Sequence, residues 1–102
     1  MEITVKYYNL VAAATGKTSE KISWSEVGRQ GEGITLKEIL NFLTRKYGAA
    51  LARLVFRAPG ELNTGLLILA DGRLLTQEGG EVLNQVIPAG AELVLLLAVA
   101  GG

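Results

Sequence analysis

The sequence predicts an α+β chain, with about five strands in a mixed sheet and one main helix packed across one face. Three observations carry that expectation. The chain opens with period-two alternation, holds one helix with a complete capping signature near its middle, and carries an Asp-Gly pair between apolar runs in its second half. With 102 residues, it has room for one domain and one core.

From Glu2 to Leu10, Ile3, Val5 and Tyr7 fall on one side and Glu2, Thr4 and Lys6 on the other, which reads as a first strand; Tyr7 and Tyr8 alternate sides, so one belongs to the core and the other to the surface. Leu10 to Thr18 reads as a connection. Ser19 to Val27 reads as a second strand, with Ile22 and Trp24 on one face. Gly28, Gly31 and Gly33 lack phosphate-loop spacing and read as a loop. Thr35-Leu36-Lys37-Glu38 is a capping box, in which the threonine oxygen accepts a first-turn amide while the glutamate three residues on reaches back. Leu36, Ile39, Leu40, Leu43 and Tyr47 then form the apolar stripe, leaving Lys37, Arg45 and Lys46 on the solvated face. Gly48 stands where a left-handed cap is expected. Ala49 to Val55 has the composition of another short helix, and Pro59-Gly60 of a turn.

Asp71-Gly72 divides Leu66-Leu67-Ile68-Leu69 from Arg73-Leu74-Leu75 and predicts a tight hairpin, since both central residues of the favoured turn need positive φ. Thr76 to Gln85 reads as a loop or short helical turn, Pro88-Ala89-Gly90 as a turn, and Leu93 to Val99 as the last strand. That strand is apolar on both sides: Leu93, Leu95, Leu97 and Val99 alternate with Val94, Leu96, Ala98 and Ala100. One helix covers only one sheet face, so an apolar surface is left for a partner, with cover by loops such as 28–34 or self-association as the alternatives. A few hundred Å² at about 25 cal/mol per Å² is enough to support a stable complex.

Composition narrows the chemistry. Ten Lys and Arg balance ten Asp and Glu, so no net field draws nucleic acid or an acidic membrane surface. With no His and no Cys, imidazole dyads, thiol nucleophiles and thiolate zinc sites are excluded, and neither a metal site nor a bound cofactor is expected. Glu78, Glu81 and Glu92 are not spaced as a metal or acid–base site. Met1 to Leu10 lacks the basic-then-apolar order of a signal peptide, and Leu93 to Ala100 is far short of the roughly 20 residues that span a bilayer, so a cytoplasmic protein is expected. The last strand runs into Val99-Ala100-Gly101-Gly102. A flexible tail over about residues 99–102, without side chains beyond Ala100, fits a narrow channel, and a terminal carboxylate on Gly102 can attack the α-phosphate of ATP.

The arrangement of elements is that of the β-grasp, or ubiquitin-like, fold. With the Asp71-Gly72 hairpin, the turn at Ile87-Pro88-Ala89-Gly90 and the Val99-Ala100-Gly101-Gly102 end, the chain resembles the MoaD/ThiS family of sulfur carriers over nearly its whole length, and most of all the small subunit of molybdopterin synthase. It departs from that pattern at Ala91 and Leu97-Ala98. The stretches 25–34, 57–65 and 76–85 also make it longer than the compact thiamine carriers. The resemblance implies that a ubiquitin-activating-like enzyme adenylates Gly102 with ATP and that a sulfur donor converts it to a thiocarboxylate. The tail then enters the large synthase subunit, where sulfur passes to a pterin precursor of the molybdenum or tungsten cofactor. Gly101 and Gly102 would be the reactive tail, and Leu95, Leu97, Val99 and Ala100 the partner contacts. Carriage of sulfur for thiamine or another metabolite, conjugation to target lysines through Gly102, and a non-catalytic interaction domain remain open alternatives. Arg53, Arg57 and Arg73 are candidates for steering an acidic partner to the docking surface.

Overall fold

The computed structural model describes residues 1–28, 33–75 and 82–97. The opening alternation forms β1 (Glu2–Tyr7), with Ile3, Val5 and Tyr7 fully buried. The connection that follows contains a helix, α1 (Asn9–Thr15), which has no side-chain cap at Tyr8. Seven residues do not hold a helix unaided. This one forms because Val11 and Thr15, a turn apart, are both buried and because Gly16, at φ +73°, donates its N–H to the Ala12 carbonyl.

β2 (Ser19–Ser23) pairs antiparallel with β1, placing Ile22 opposite Ile3 and Glu20 opposite Val5. It is shorter than the expected strand to Val27. At Ser23 the chain turns into α2 (Trp24–Val27), and the Ser23 N–H donates to Glu26 Oε2 at 2.9 Å. Trp24 is therefore buried from a helical turn and not from a strand face shared with Ile22.

After β3 (Gly33–Thr35), α3 (Leu36–Tyr47) begins at the expected box. The Glu38 N–H donates to Thr35 Oγ1 at 3.2 Å, and the Thr35 N–H donates to Glu38 Oε1 at 3.2 Å. Leu36, Ile39, Leu40 and Leu43 are all buried. Gly48 closes the helix with φ +81° and ψ −160°. This conformation is not the expected left-handed cap but a region essentially reserved for glycine, and it lets α4 (Ala49–Val55) start at once in a new direction. α4 is the anticipated short helix. Around Pro59-Gly60 the turn belongs to a small hairpin, β4 (Phe56–Ala58) with β5 (Glu61–Leu62).

β6 (Leu66–Ala70) and β7 (Arg73–Leu74) flank Asp71-Gly72, whose φ values of +49° and +83° satisfy the predicted hairpin. In the stretch read as a loop or helical turn, Val82–Asn84 forms one turn of 3₁₀ helix, and 76–81 lies outside the described residues. β8 (Val86–Pro88), unforeseen in the sequence, pairs with β3 through the buried Ile34 and Ile87. β9 (Glu92–Leu97) is the last described element.

The main sheet runs β2-β1-β9-β6-β7, with β9 parallel to β1 and every other pair antiparallel. The expected mixed five-stranded sheet is present, with α3 as its principal helix. α1, α2, α4 and two short ribbons are additional. One contiguous core joins the buried residues of β1, β2, β6 and β9 to those of α1, α3 and α4. Among the described residues no helix is long and apolar enough to cross a membrane.

The edge strand β2 is tied to this core by one carboxylate. Glu20 shares its face with Ile22, so its side chain points under the helical layer. Tyr7 Oη donates to Glu20 Oε2 at 2.6 Å and Tyr47 Oη donates to the same oxygen, while Lys46 Nζ lies 2.7 Å and Lys17 Nζ 3.5 Å from Oε1. The two tyrosine rings meet edge to face, 6.3 Å between centroids. Lys46 is thus not merely part of a solvated face. Burial pushes the Glu20 carboxyl up, but hydrogen bonds from Lys46, Tyr47 and Tyr7, with the Lys46 charge, outweigh it and hold it at about 2. Burial, followed by the bond to Glu20, raises both tyrosine hydroxyls.

Two expectations follow. No atom lies within 4 Å of a Cβ built on Gly48, so Gly48→Ala costs backbone strain alone, about 1–3 kcal/mol in urea unfolding. Glu20 has a folded pKa of about 2 against an ordinary 4.5. Its stabilising contribution is therefore complete above the unfolded value and is lost as pH falls through the folded one. Glu20→Gln should flatten the loss of stability on going from about pH 5 to pH 2, and lower stability at pH 7 by about 1–3 kcal/mol, measured by denaturant titration across pH.

Candidate functional site

Residues paired across a ladder share a face, as do residues two apart along a strand, so the register sorts the sheet into two surfaces. Beneath the helices lie Ile3, Val5 and Tyr7 of β1, Leu66 and Ile68 of β6, and Leu93 and Leu95 of β9, all buried. On the opposite surface Val94 pairs with Lys6 and Leu69, Leu96 with Leu67, and Leu69 with Leu74. Leu67, Leu69, Leu74, Val94 and Leu96 are all partly exposed. They form a continuous apolar strip across β9, β6 and β7. Toward β1 and β2 the surface becomes polar, with Thr4, Lys6 and Lys21, and ion pairs join Lys6 to Glu92 at 3.2 Å and Lys21 to Glu2 at 3.8 Å. Tyr8 is 47% exposed and donates its N–H to the Leu95 carbonyl at 3.1 Å, which sets it beside the end of the strip.

Both ends of β9 are secured by side chains. Asp71 Oδ1 accepts the Glu92 N–H at 2.9 Å, and the Asp71 N–H donates to the Glu92 carbonyl at 2.9 Å, so the tight hairpin also fixes where β9 begins. At the other end Asn9, in a left-handed conformation at φ +55°, reaches the Leu97 carbonyl with its amide at 3.4 Å.

The expected partner contacts divide accordingly. Leu97 is half-buried at the end of β9 and packs against the edge of the core. Leu95 is 0% exposed; it holds the helical layer, and the accessible side of the strand is carried by its neighbours Val94 and Leu96. Val99, Ala100, Gly101 and Gly102 lie outside the described residues. Leu67, Leu69 and Leu74 were not singled out in the sequence. The signal was present, because Leu66-Leu67-Ile68-Leu69 is apolar on both faces just as β9 is. Arg53 and Arg57 do not stand on this surface: they line a groove among α3, α4 and the β4–β5 hairpin, while Arg73 lies in β7. Glu92 is engaged with Lys6, and Glu78 and Glu81 are outside the described residues.

No protein-family model matches the sequence, and no curated protein sequence matches it. Solved structures do. SAMP1 from Haloferax volcanii superposes with a TM-score of 0.75, covering 100% of both chains at 24% identity. A putative molybdopterin converting factor, subunit 1, from Pyrococcus furiosus gives 0.67 over 97% of this chain and 99% of that one, at 16% identity. A chain of the BexX/CysO complex from Amycolatopsis orientalis gives 0.67 over 98% and 99%, at 24% identity. The chain has the β-grasp, ubiquitin-like fold.

In this β-grasp sheet the two faces of β9 respond differently to truncation. Leu95→Ala opens a cavity in the core and should cost about 2–5 kcal/mol. Leu96→Ala removes a partly solvated side chain and should cost less than about half as much. Urea unfolding of both variants checks the assignment of faces.

Proposed function

We propose that this protein is a ubiquitin-like sulfur carrier that acts as the small subunit of a molybdopterin synthase. The observation that carries the reading is the apolar strip of β6, β7 and β9. It is partly exposed, and it ends beside Leu97, from which Ala98 to Gly102 continue. A partner seated on that strip contacts the strand from which the last residues follow in sequence. The structural likeness to a putative molybdopterin converting factor subunit supports the same reading, and the likeness to a chain of the BexX/CysO complex supports action together with a partner protein.

The chemistry is that of a carried acyl group. The Gly102 carboxylate oxygen attacks the α-phosphate of ATP on an adenylating enzyme, and pyrophosphate leaves. A sulfur nucleophile then attacks the acyl-adenylate carbonyl and expels AMP, which leaves a thiocarboxylate. In the large synthase subunit the thiocarboxylate sulfur bonds to a carbon of a pterin precursor, and water then cleaves the acyl C–S bond of that thioester, leaving the sulfur on the pterin and restoring the Gly102 carboxylate. Glycine at 101 and 102 presents no Cβ to a narrow channel or to the attacking groups. This chain supplies docking and reach, partners supply the catalytic groups, and ATP is consumed by the activating enzyme in the cytoplasm. A second reading, conjugation of Gly102 to lysines of target proteins, draws on the likeness to H. volcanii small archaeal modifier protein 1.

Incubation with an adenylating enzyme, ATP and a sulfur donor should replace one terminal oxygen by sulfur, a gain of about 16 Da in intact mass, and deletion of Gly102 should abolish that gain while leaving Tm unchanged. An unmodified carboxylate under conditions that thiolate a known carrier overturns the proposal. An amide-linked adduct in place of the thiocarboxylate favours the second reading.

A further inference from the structure

The helical layer carries a feature that the sulfur-carrier reading does not use. α3, α4, the β4–β5 hairpin and the 3₁₀ turn enclose an open groove of about 540 Å³. Gly48, at φ +81° and ψ −160°, separates α3 from α4, and the β4–β5 pairing is irregular between Phe56 and Ala58. Ala52, Phe56 and Leu83, all half-buried, are among the apolar side chains of its wall, with Ala49, Ala58 and Pro59. Lys37, Arg53 and Arg57 stand exposed along it, and among the described residues no carboxylate lines it.

That composition departs from the rest of the molecule. The chain as a whole balances ten cations with ten anions, and several of its other cations face acids: Lys6 faces Glu92, Lys21 faces Glu2, and Lys17 and Lys46 face Glu20. Among the described residues, the one ion pair made by a groove cation is that of Arg57 with Glu61, at 3.7 Å between two exposed side chains. Such an exposed pair is worth little and is readily exchanged. An apolar wall flanked by three cations on separate elements matches an extended ligand that is both acidic and apolar. A bare anion would leave the wall unused, and an apolar peptide would leave the cations unpaired.

We propose that this groove is a docking site for an acidic peptide segment of a partner protein, with a large apolar side chain seated against Phe56 and Leu83 and carboxylates paired with Lys37, Arg53 and Arg57. It lies on the layer that covers the buried sheet face, so it is separate from the apolar strip of β6, β7 and β9, and both surfaces can be engaged at once. The proposal does not depend on the sulfur-carrier reading.

The test uses the full-length protein and a short fluorescein-labelled peptide of glutamates around a central Leu-Phe pair, followed by anisotropy. Binding should weaken about tenfold or more, equivalent to about 1.4 kcal/mol, in Arg53→Glu and in Phe56→Ala. It should survive in Arg53→Lys and in Leu96→Ala, whose change lies on the sheet face. Affinity should also fall with added salt. Because Arg53 is exposed, Arg53→Glu folds normally, and an unchanged Tm confirms this where Phe56→Ala is destabilised. Equal binding by Arg53→Glu, equal binding of a peptide with the Leu-Phe pair replaced by glycines, or binding of tripolyphosphate but not of the peptide would each overturn the proposal.

Discussion

The structure depends on one mismatch of covering. Its two central strands, β9 and β6, are apolar on both faces, and the helices lie against only one of them. Leu93, Leu95, Leu66 and Ile68 are buried under that layer, while Val94, Leu96, Leu67 and Leu69 are left partly in water. A sheet of antiparallel pairs ordinarily relieves this by alternating polar residues on its open side. Here β1 and β2 do so, with Thr4, Lys6 and Lys21, and the centre does not. Apolar area kept in solvent works against solubility, and the docking role proposed for this protein rests on that uncovered strip.

The same layer explains where the polar groups went. Glu20, on the edge strand, would be a liability if buried alone. It is instead surrounded by two tyrosine hydroxyls and two ammonium groups drawn from β1, α3 and the turn before β2. This arrangement fastens the C-terminal end of α3 to the edge of the sheet. One residue further on, Gly48 separates α3 from α4, and both helices line the cationic groove.

Much of the fold was legible in the sequence, and the reason is the range of the interactions involved. The α3 cap is a contact between Thr35 and Glu38, three residues apart, and the hairpin turn is a matter of two φ angles at Asp71 and Gly72. Such signals survive any rearrangement of the remaining chain. The strand misread through Trp24 shows the limit of period-two reasoning: Ser23 and Glu26 carried a capping signal of their own, and alternation at Ile22 and Trp24 concealed it. Of the candidate site, β9 was found from its two-sided pattern. β6 carries the same pattern and was read only as half of a hairpin.

Alone, the sequence determined β1, α3, the Asp71-Gly72 hairpin, the balance of charge and the absence of imidazole and thiol, because each is local or compositional. The tertiary structure decided the order β2-β1-β9-β6-β7, the pairing of β3 with β8, the existence of α1, and which side of β9 meets water. It also brought Tyr7, Glu20 and Tyr47 together across separations of 13 and 27 residues. The physical reason is that Leu95 and Leu96 are the same residue type and differ only in what packs against them. No pattern along the strand distinguishes them until α1, α3 and α4 are in place and one side of the sheet has been chosen for the core.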